Sequence, residues 1–279
     1  MRVHDAGRRN LVAALQLFAA NAPGAVVGER EGTLMAVSAM AATGAFHAPA
    51  IRRDSRTAPA TVLAAVRAFG AEQGRDLVLW ADAVADADLA AAARADGHAV
   101  ASTGLGMVLE GPPGPARPVP GARLVPVEDA AGVAAFATVH RAGYGSAGFP
   151  TELVDHFATP GALLAPSVDA VVATVDGQPL ATALTLASGG PDSPGGPGPA
   201  VAGVYWVATH PDALRRGLGA LVTRAVVLRA QDRGARTIVL QATPAGEPVY
   251  RALGFRPFVT YERYLVPRAE GLSRRRPAG

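Results

Sequence analysis

Apolar residues in the second half of the chain recur with spacings typical of helices and then of strands. Positions 218, 221, 222 and 225 form a helical stripe that predicts an amphipathic helix over Leu218–Arg233. Gly234 follows as a helix cap. The pattern then predicts a strand at Thr237–Gln241, a short helix at Pro248–Leu253 and a final strand at Thr260–Val266.

The first half shows the same order of elements. A helical pattern at Thr61–Gln73 precedes a strand at 76–80, a helix at Ala87–Ala95 and a strand at Gly106–Glu110. Gly74 ends the first of these helices, as Gly234 ends its counterpart 160 residues later.

A second pair of glycines, Gly97 and Gly254, is separated by 157 residues. A nearly constant offset over four elements predicts two copies of one αβ unit.

A proline-rich segment separates the two copies. Five prolines fall within the eleven residues from Gly111 to Gly121, which can neither continue a helix nor form a central strand. We therefore expect domains at 1–110 and 123–267, a linker at 111–122 and a basic tail at 268–279. A second Gly/Pro tract at 188–199, flanked by apolar runs, is predicted to be the tip of a long hairpin.

Composition excludes several classes of chemistry. The 279 residues include no Cys and no Lys, so all 26 basic residues are Arg. This removes thiol nucleophiles, disulfides and thiolate metal sites, as well as Schiff-base chemistry and the lysines of phosphate loops and kinases. The net charge of +3 gives no reason to expect nucleic acid, and no run of about 18 apolar residues predicts a membrane span. We expect a cytoplasmic protein.

The strongest local signal is a strand, a glycine turn and a helix within 204–222. Gly217 and Gly219 let main chain approach a ligand at a helix N-terminus, whose free N–H groups favour an anion. Arg215 and Arg216 add positive charge there. A dinucleotide fingerprint would need glycine at Val222, and a triphosphate loop would need lysine. An ordinary glycine turn remains an alternative.

The segment Arg-Arg-Gly-Leu-Gly-Ala at 215–220, after a strand and His-Pro, resembles the acetyl-CoA pyrophosphate loop of GCN5-related N-acetyltransferases, the GNAT superfamily. The family pattern is Gln/Arg-x-x-Gly-x-Gly/Ala, and its first position falls on Leu214, a departure. A second family signature matches Val-Tyr-Arg-Ala-Leu-Gly-Phe at 249–255. The resemblance covers about 123–267.

The resemblance implies an α/β (α+β) fold of two GNAT-like domains, each a mixed, mostly antiparallel sheet flanked by helices. The first copy is degenerate, because the segment near Thr57–Thr61 has no glycine and Ala93 stands where the second copy has Tyr250. We expect this copy to bind no acyl carrier.

The resemblance also assigns roles in the second copy. Main-chain groups of Val207, Ala208 and Thr209 would bind the pantetheine arm, and Tyr250 would protonate the departing thiolate. The residues expected to bind the pyrophosphate are Arg215, Arg216, Gly217, Leu218, Gly219 and Ala220.

The general base is not identified by the pattern. Glu247 is a candidate, with a first-turn acid as the alternative, and His140 is a second, with a packing histidine as the alternative. Tyr144 and Glu152 are candidate substrate contacts.

The implied activity is transfer of an acetyl group from acetyl-CoA, as co-substrate and without a metal, to a primary amine by direct attack. The acceptor would be a small molecule or a peptide, and the protein a pseudo-dimeric monomer or a homodimer. The alternative is a non-catalytic acyl-CoA-binding sensor or a protein-interaction module.

Overall fold

The computed structural model describes residues 3–40, 45–146, 148, 151–189 and 201–268. In these ranges the helices are α1 (Val3–Ala20), α2 (Pro59–Gln73), α3 (Ala87–Ala95), α4 (Ala130–Ser146), α5 (Pro160–Leu163), α6 (Leu218–Asp232) and α7 (Glu247–Ala252). The strands are β1 (Val26–Arg30), β2 (Thr33–Val37), β3 (Pro49–Arg52), β4 (Leu77–Asp82), β5 (Val100–Glu110), β6 (Ala122–Pro126), β7 (Val168–Val175), β8 (Gln178–Ser188), β9 (Val201–Thr209), β10 (Thr237–Ala242) and β11 (Arg256–Val266).

The described strands form one sheet in the order β1-β2-β3-β4-β11-β5-β10-β9-β8-β7-β6. Its pairs are antiparallel except β3–β4 and β9–β10, which are parallel. The predicted mixed, mostly antiparallel sheet flanked by helices is therefore confirmed, and both halves contribute to the same sheet.

The two halves exchange their last strands at the centre of this sheet. Strand β5, from the first half, lies between β10 and β11 of the second. Strand β11 in turn pairs along its other edge with β4 of the first half. The apolar pattern predicted strands at both places, but it does not specify which strand each one pairs with.

The predicted repeat corresponds to α2-β4-α3-β5 in the first half and α6-β10-α7-β11 in the second. All four glycines on which it rests adopt positive φ: Gly74, Gly97, Gly234 and Gly254. A left-handed residue after the last turn is a common way to end a helix, and glycine adopts it without a Cβ clash. The glycines therefore set where equivalent helices end.

Alternation along β7 separates the cores above and below the sheet. Val171 and Ala173 pack into a cluster with α6, whereas Ala170 and Val172 pack into another with α4. Successive strand residues point to opposite faces, so β7 is buried on both.

An asparagine of α1 ties the first half to the strands beside the site. The Asn10 amide donates to the Leu186 carbonyl at 2.9 Å and accepts from the Tyr205 hydroxyl at 2.7 Å. Gly203 makes room for it, because a Cβ there would lie 1.9 Å from Asn10 Oδ1. This polar contact fixes α1 against β8 and β9.

The linker packs against the second half. The Gly114 N–H donates to the Leu253 carbonyl at 2.9 Å, and the Gly114 carbonyl accepts from Arg224 Nε at 3.2 Å. The division into domains at 111–122 stays a prediction. In the tract predicted as a hairpin tip, residues 190–199 lie outside the described residues, as do 269–279 of the predicted tail. No helix in the described part is long and apolar enough to cross a membrane.

Candidate active site

Strands β9 and β10 separate at the centre of the second half. Their parallel pairing runs from Val201–Thr237 to Val204–Leu240 and stops there. Beyond this point β9 stays paired with β8 as far as Thr209, while β10 pairs with β5. The edge of 205–209 that faces β10 therefore offers main-chain groups that have no ladder partner in the described chain.

A bulge in β9 coincides with this separation. The register of β8 against β9 shifts between Thr182 and Leu184, and Trp206 has φ of +51°. Positive φ is uncommon for a bulky side chain and costs energy that surrounding contacts must offset. Such a contact comes from His140, whose Nε2 lies 2.9 Å from the Trp206 carbonyl oxygen.

The separation of the strands opens a groove of about 660 Å³. Of the residues predicted to bind the cofactor or act in catalysis, those that line it are Val207, Ala208, Thr209, Arg215, Gly217, Leu218, Gly219, Ala220 and Tyr250. Arg216 is exposed and is absent from the groove lining, so its role stays a prediction without a contact to support it.

One end of the groove is formed by the N-terminus of α6. Gly217, with φ of +87°, precedes the helix and provides no side-chain cap for its first N–H groups. A Cβ on Gly219 would lie 3.5 Å from Thr209 Oγ1, so the first turn of α6 approaches the end of β9 closely. Unpaired helix N–H groups and the helix dipole favour an anion here. Arg215 lines the same end and has φ of +61°.

The other end of the groove contains the phenol of Tyr250. Its side chain is 9% exposed and packs against Gly246, where a Cβ would lie 2.9 Å from the ring. Burial raises the pKa of Tyr250 to about 12, because the charged phenolate loses its hydration. The phenol is therefore protonated at neutral pH and can donate a hydrogen bond.

A second cavity, of about 380 Å³, adjoins the groove. Val207, Thr243 and Tyr250 line both spaces. Its other walls come from both halves of the chain, with Phe46, Trp80, Thr103 and Gly104 from the first and Tyr144, Tyr205, Trp206, Gln241 and Arg263 among those from the second. The two spaces therefore meet at Tyr250.

The sequence around the groove matches a known protein family. Residues 134–255 match the model of the acetyltransferase (GNAT) family. This part of the chain is a GNAT-family domain. The match includes the strand separation, together with the glycine turn and Tyr250 that the two motifs singled out. A search of curated protein sequences found no match.

Solved structures resemble the whole chain, including the half before the GNAT domain. A GCN5-related N-acetyltransferase from Kribbella flavida has a TM-score of 0.69 at 20% identity, over 94% of this chain and 96% of its own. A tandem GNAT protein from the clavulanic acid biosynthesis pathway has a TM-score of 0.58 at 14% identity, over 95% and 97%. At such identities the likeness shows the fold, and the predicted tandem arrangement of two GNAT-like folds is confirmed.

The candidate bases of the GNAT domain lie outside both spaces. Glu247 pairs with Arg251 one helical turn away, at 2.7 Å, consistent with the first-turn acid predicted as the alternative. His140 is fully buried, and burial lowers its pKa to about 3. Glu152 is exposed in a 3-10 turn, whereas Tyr144 does line the cavity. Among the described residues that line the cavity there is no Asp, Glu or His.

In the first half, a buried ion cluster occupies the ends of the strands equivalent to β9 and β10. Arg52, at the end of β3, is 1% exposed and pairs with Asp86 and Asp88, each at 2.7 Å. Arg8 of α1 also contacts Asp86, at 3.0 Å. Helix α2 begins at Pro59 without a glycine before it. These side chains lie at the ends of β3 and β4, the position equivalent to that of the groove in the GNAT domain.

The described residues contain no group of three or more His, Cys, Asp or Glu side chains that could hold a metal ion. Sequence reasoning did not single out Arg263, Trp80 or Phe46, because the strand exchange that brings them to the cavity leaves no trace in local patterns.

Proposed function

We propose that the protein is an acetyl-CoA-dependent N-acetyltransferase that acetylates a primary amine by direct attack. The observation that supports this most is the position of Tyr250, which lines both the groove of the GNAT domain and the adjoining cavity. A thioester in the groove and an amine in the cavity would meet at this phenol.

The groove suits the carrier of the acetyl group. The edge of 205–209 that faces β10 has no ladder partner among the described strands and can bind the amides of the pantetheine arm, as β-strand addition does with peptides. The first turn of α6, with Gly217, Gly219 and Arg215, would bind the pyrophosphate. An N–H of the same strand edge can polarise the thioester oxygen as negative charge develops on it.

The reaction forms one bond and breaks another. The neutral amine attacks the thioester carbonyl carbon, the C–N bond forms, and the C–S bond breaks with its electron pair leaving on sulfur. Tyr250 donates its proton to that sulfur, the proton that the nitrogen loses passes to solvent, and solvent returns a proton to the Tyr250 phenolate. Holding the two reactants together can contribute as much as ~7–11 kcal/mol, and general acid help typically contributes ~10²–10⁴-fold.

The lack of an acid or histidine among the described cavity residues favours an amine that enters without its extra proton. The same observation is what a non-catalytic acyl-CoA sensor would show. The two functions differ in one result, the release of free CoA in the presence of an amine.

The test is a calorimetric titration with acetyl-CoA, followed by assay of CoA release over a panel of amines. We expect binding with a stoichiometry of one, because the first half has its strand ends filled by Arg52 and its partners. Two sites per chain would contradict the proposed loss of binding in that half. Binding without CoA release from any amine would favour the sensor.

A matched pair of glycine variants assigns the binding to the loop. Gly217→Ala and Gly234→Ala both place a Cβ at positive φ, +87° and +93°, and both flank α6. Similar strain of ~1–2 kcal/mol is expected in each. We expect that Gly217→Ala alone weakens acetyl-CoA binding, by tenfold or more. Equal affinity in the two variants would exclude the loop from the cofactor site.

A further inference from the structure

The cavity beside Tyr250 has an aromatic wall contributed by both halves. Phe46 packs edge-on against Trp80 at 5.4 Å between ring centroids and lies 5.1 Å from Trp206. The Trp80 indole is oriented by a hydrogen bond from its Nε1 to the Ala45 carbonyl, at 2.8 Å. An apolar wall lowers the local dielectric constant, which strengthens the electrostatic effect of a charge beside it.

One charged side chain lies in this wall. The Arg263 guanidinium is 4.9 Å from the centroid of the Trp80 ring, in a cation–π arrangement. Its Nη2 donates to the Thr103 carbonyl, and its Nε is buried with no partner in the described chain. Burial lowers the pKa of Arg263 because the cation loses hydration.

The charge of Arg263 is under-compensated by the protein. A guanidinium has five N–H donors, and in the described residues the Thr103 carbonyl is the acceptor it has. No described carboxylate forms an ion pair with it or lines the cavity. Arg263 is half-buried, and a cation that has lost part of its hydration without a counter-ion is stabilised by binding an anion. By contrast, Arg94 on the opposite face of the sheet binds Glu262, the neighbour of Arg263 in β11.

We propose that the acceptor amine also carries a carboxylate and that Arg263 binds it. The ligand class is an amino acid or a short peptide with a free C-terminus, of a size that fits about 380 Å³. The inference rests on the proposed function, since it names the acceptor of that same site. A guanidinium matches a carboxylate geometrically through two parallel hydrogen bonds.

The carboxylate also suits the chemistry. The carboxylate neutralises Arg263 and holds the ligand at one end of the cavity, while Tyr250 is at the boundary with the groove. Arg263 thereby serves recognition and orientation of the acceptor.

The chain has two tryptophans, Trp80 and Trp206, and both line the cavity. Tryptophan fluorescence therefore reports occupancy of this cavity without acetyl-CoA and without turnover. The probes are the twenty standard amino acids, their C-terminal amides, and glycyl dipeptides. Amino acids and dipeptides distinguish the two sources of the carboxylate.

We expect at least one carboxylated probe to change the fluorescence saturably and to bind tenfold or more tightly than its amide. Arg263→Gln should remove that preference, lowering affinity for the acid roughly 10- to 100-fold and leaving the amide unchanged, as for lost hydrogen bonds to charged groups. Arg263→Lys, which keeps the charge, should restore part of it. Arg256→Gln, on the same strand but exposed and paired with Glu110, is the matched control.

Equal affinity for acids and amides, a preference that survives in Arg263→Gln, or no response to any acid overturns the inference. Acetyl-CoA affinity, measured in the same variants, distinguishes failure of the carboxylate subsite from failure of the proposed transferase function. If acetyl-CoA binds and amines release CoA while acids show no advantage, the transferase assignment stands and the carboxylate subsite falls. If acetyl-CoA does not bind, the transferase proposal is wrong. The carboxylate subsite is then tested only by whether acids bind more tightly than amides in the fluorescence titration.

Discussion

Nε2 of His140 lies 2.9 Å from the main-chain carbonyl oxygen of Trp206, the residue at which β9 bulges. Since a carbonyl oxygen accepts hydrogen bonds and does not donate them, Nε2 carries the proton in this contact. The Thr182 hydroxyl lies 3.0 Å from the same nitrogen, across the register shift of β8 and β9. The separation of β9 from β10 is therefore linked to a histidine on α4 that contacts no solvent.

The burial of His140 makes stability sensitive to acid. Burial lowers the pKa of His140 to about 3, whereas the unfolded chain takes up this proton near pH 6.5. Below pH 6.5 the unfolded state binds a proton that the folded state does not. The free energy of unfolding therefore decreases as the pH is lowered, by up to about 1.4 kcal/mol per pH unit. Burial also lowers the pKa of His47, to about 4, and adds to the same slope.

We expect His140→Gln to flatten that slope by about one proton, because the glutamine amide can donate to the Trp206 carbonyl without titrating. Urea unfolding at a series of pH values between 4 and 7, roughly the window in which the unfolded histidine titrates, measures the effect. A slope unchanged from the parent would show that His140 does not titrate on unfolding.

Replacing Tyr250 by Phe separates chemistry from binding. The ring contacts with Gly246 and Phe255 remain, so we expect an unchanged fold and acetyl-CoA affinity. Loss of the proton donor should reduce kcat by ~10²–10⁴-fold. Steady-state kinetics with calorimetry on the same preparation measures both effects.

The control for this variant is Tyr264→Phe, which removes a different buried phenol, one in β11. Tyr264 is fully buried far along the strand and donates to Glu262 at 2.5 Å, away from both the groove and the cavity. Its loss should affect stability and leave kcat within about twofold. If Tyr250→Phe keeps full turnover, the phenol is a packing residue and the acid is elsewhere.

Two neighbouring arginines in the first half, Arg52 and Arg53, should contribute very differently to the free energy of unfolding. Arg52 is 1% exposed between Asp86 and Asp88, so Arg52→Met removes two charge-assisted hydrogen bonds to buried Asp86 and leaves that carboxylate with Arg8 as its ion-pair partner. Each hydrogen bond lost to a charged group costs ~1.5–3 kcal/mol. Arg53 is 38% exposed and pairs with exposed Glu29, an arrangement worth ~0–1 kcal/mol. Denaturant midpoints of the two Met variants compare them directly. Similar losses would mean that the cluster is not what holds the ends of β3 and β4 together.

Local patterns were sufficient to predict much of the GNAT domain. The stripe that ends at Gly234 placed α6 to within one residue. The glycine turn and Tyr250 line the groove, and their roles stay predictions. These features depend on residues close together in sequence, whose spacing determines helix ends and turn geometry.

The acceptor side of the site depends on contacts that no local pattern contains. Trp80 and Phe46 reach the cavity because β4 pairs with β11, and Arg263 faces Trp80 in that register. A period of two specifies which face a residue occupies but not which strand lies beside it. The bulge at Trp206 likewise depends on His140, 66 residues earlier.

The strand exchange makes a further prediction about the two halves. Cutting the chain in the linker should leave a complex, because β5 is hydrogen-bonded on both edges by strands of the second half and β11 is hydrogen-bonded by β4. We expect a protease site inserted after Pro115 to give two fragments that co-elute on size exclusion. Fragments 1–115 and 116–279 expressed separately should not fold, because each lacks a central strand and exposes long apolar edges. A folded, acetyl-CoA-binding fragment 116–279 would show that the GNAT domain supplies its own closing strand and that the exchange is not required for stability.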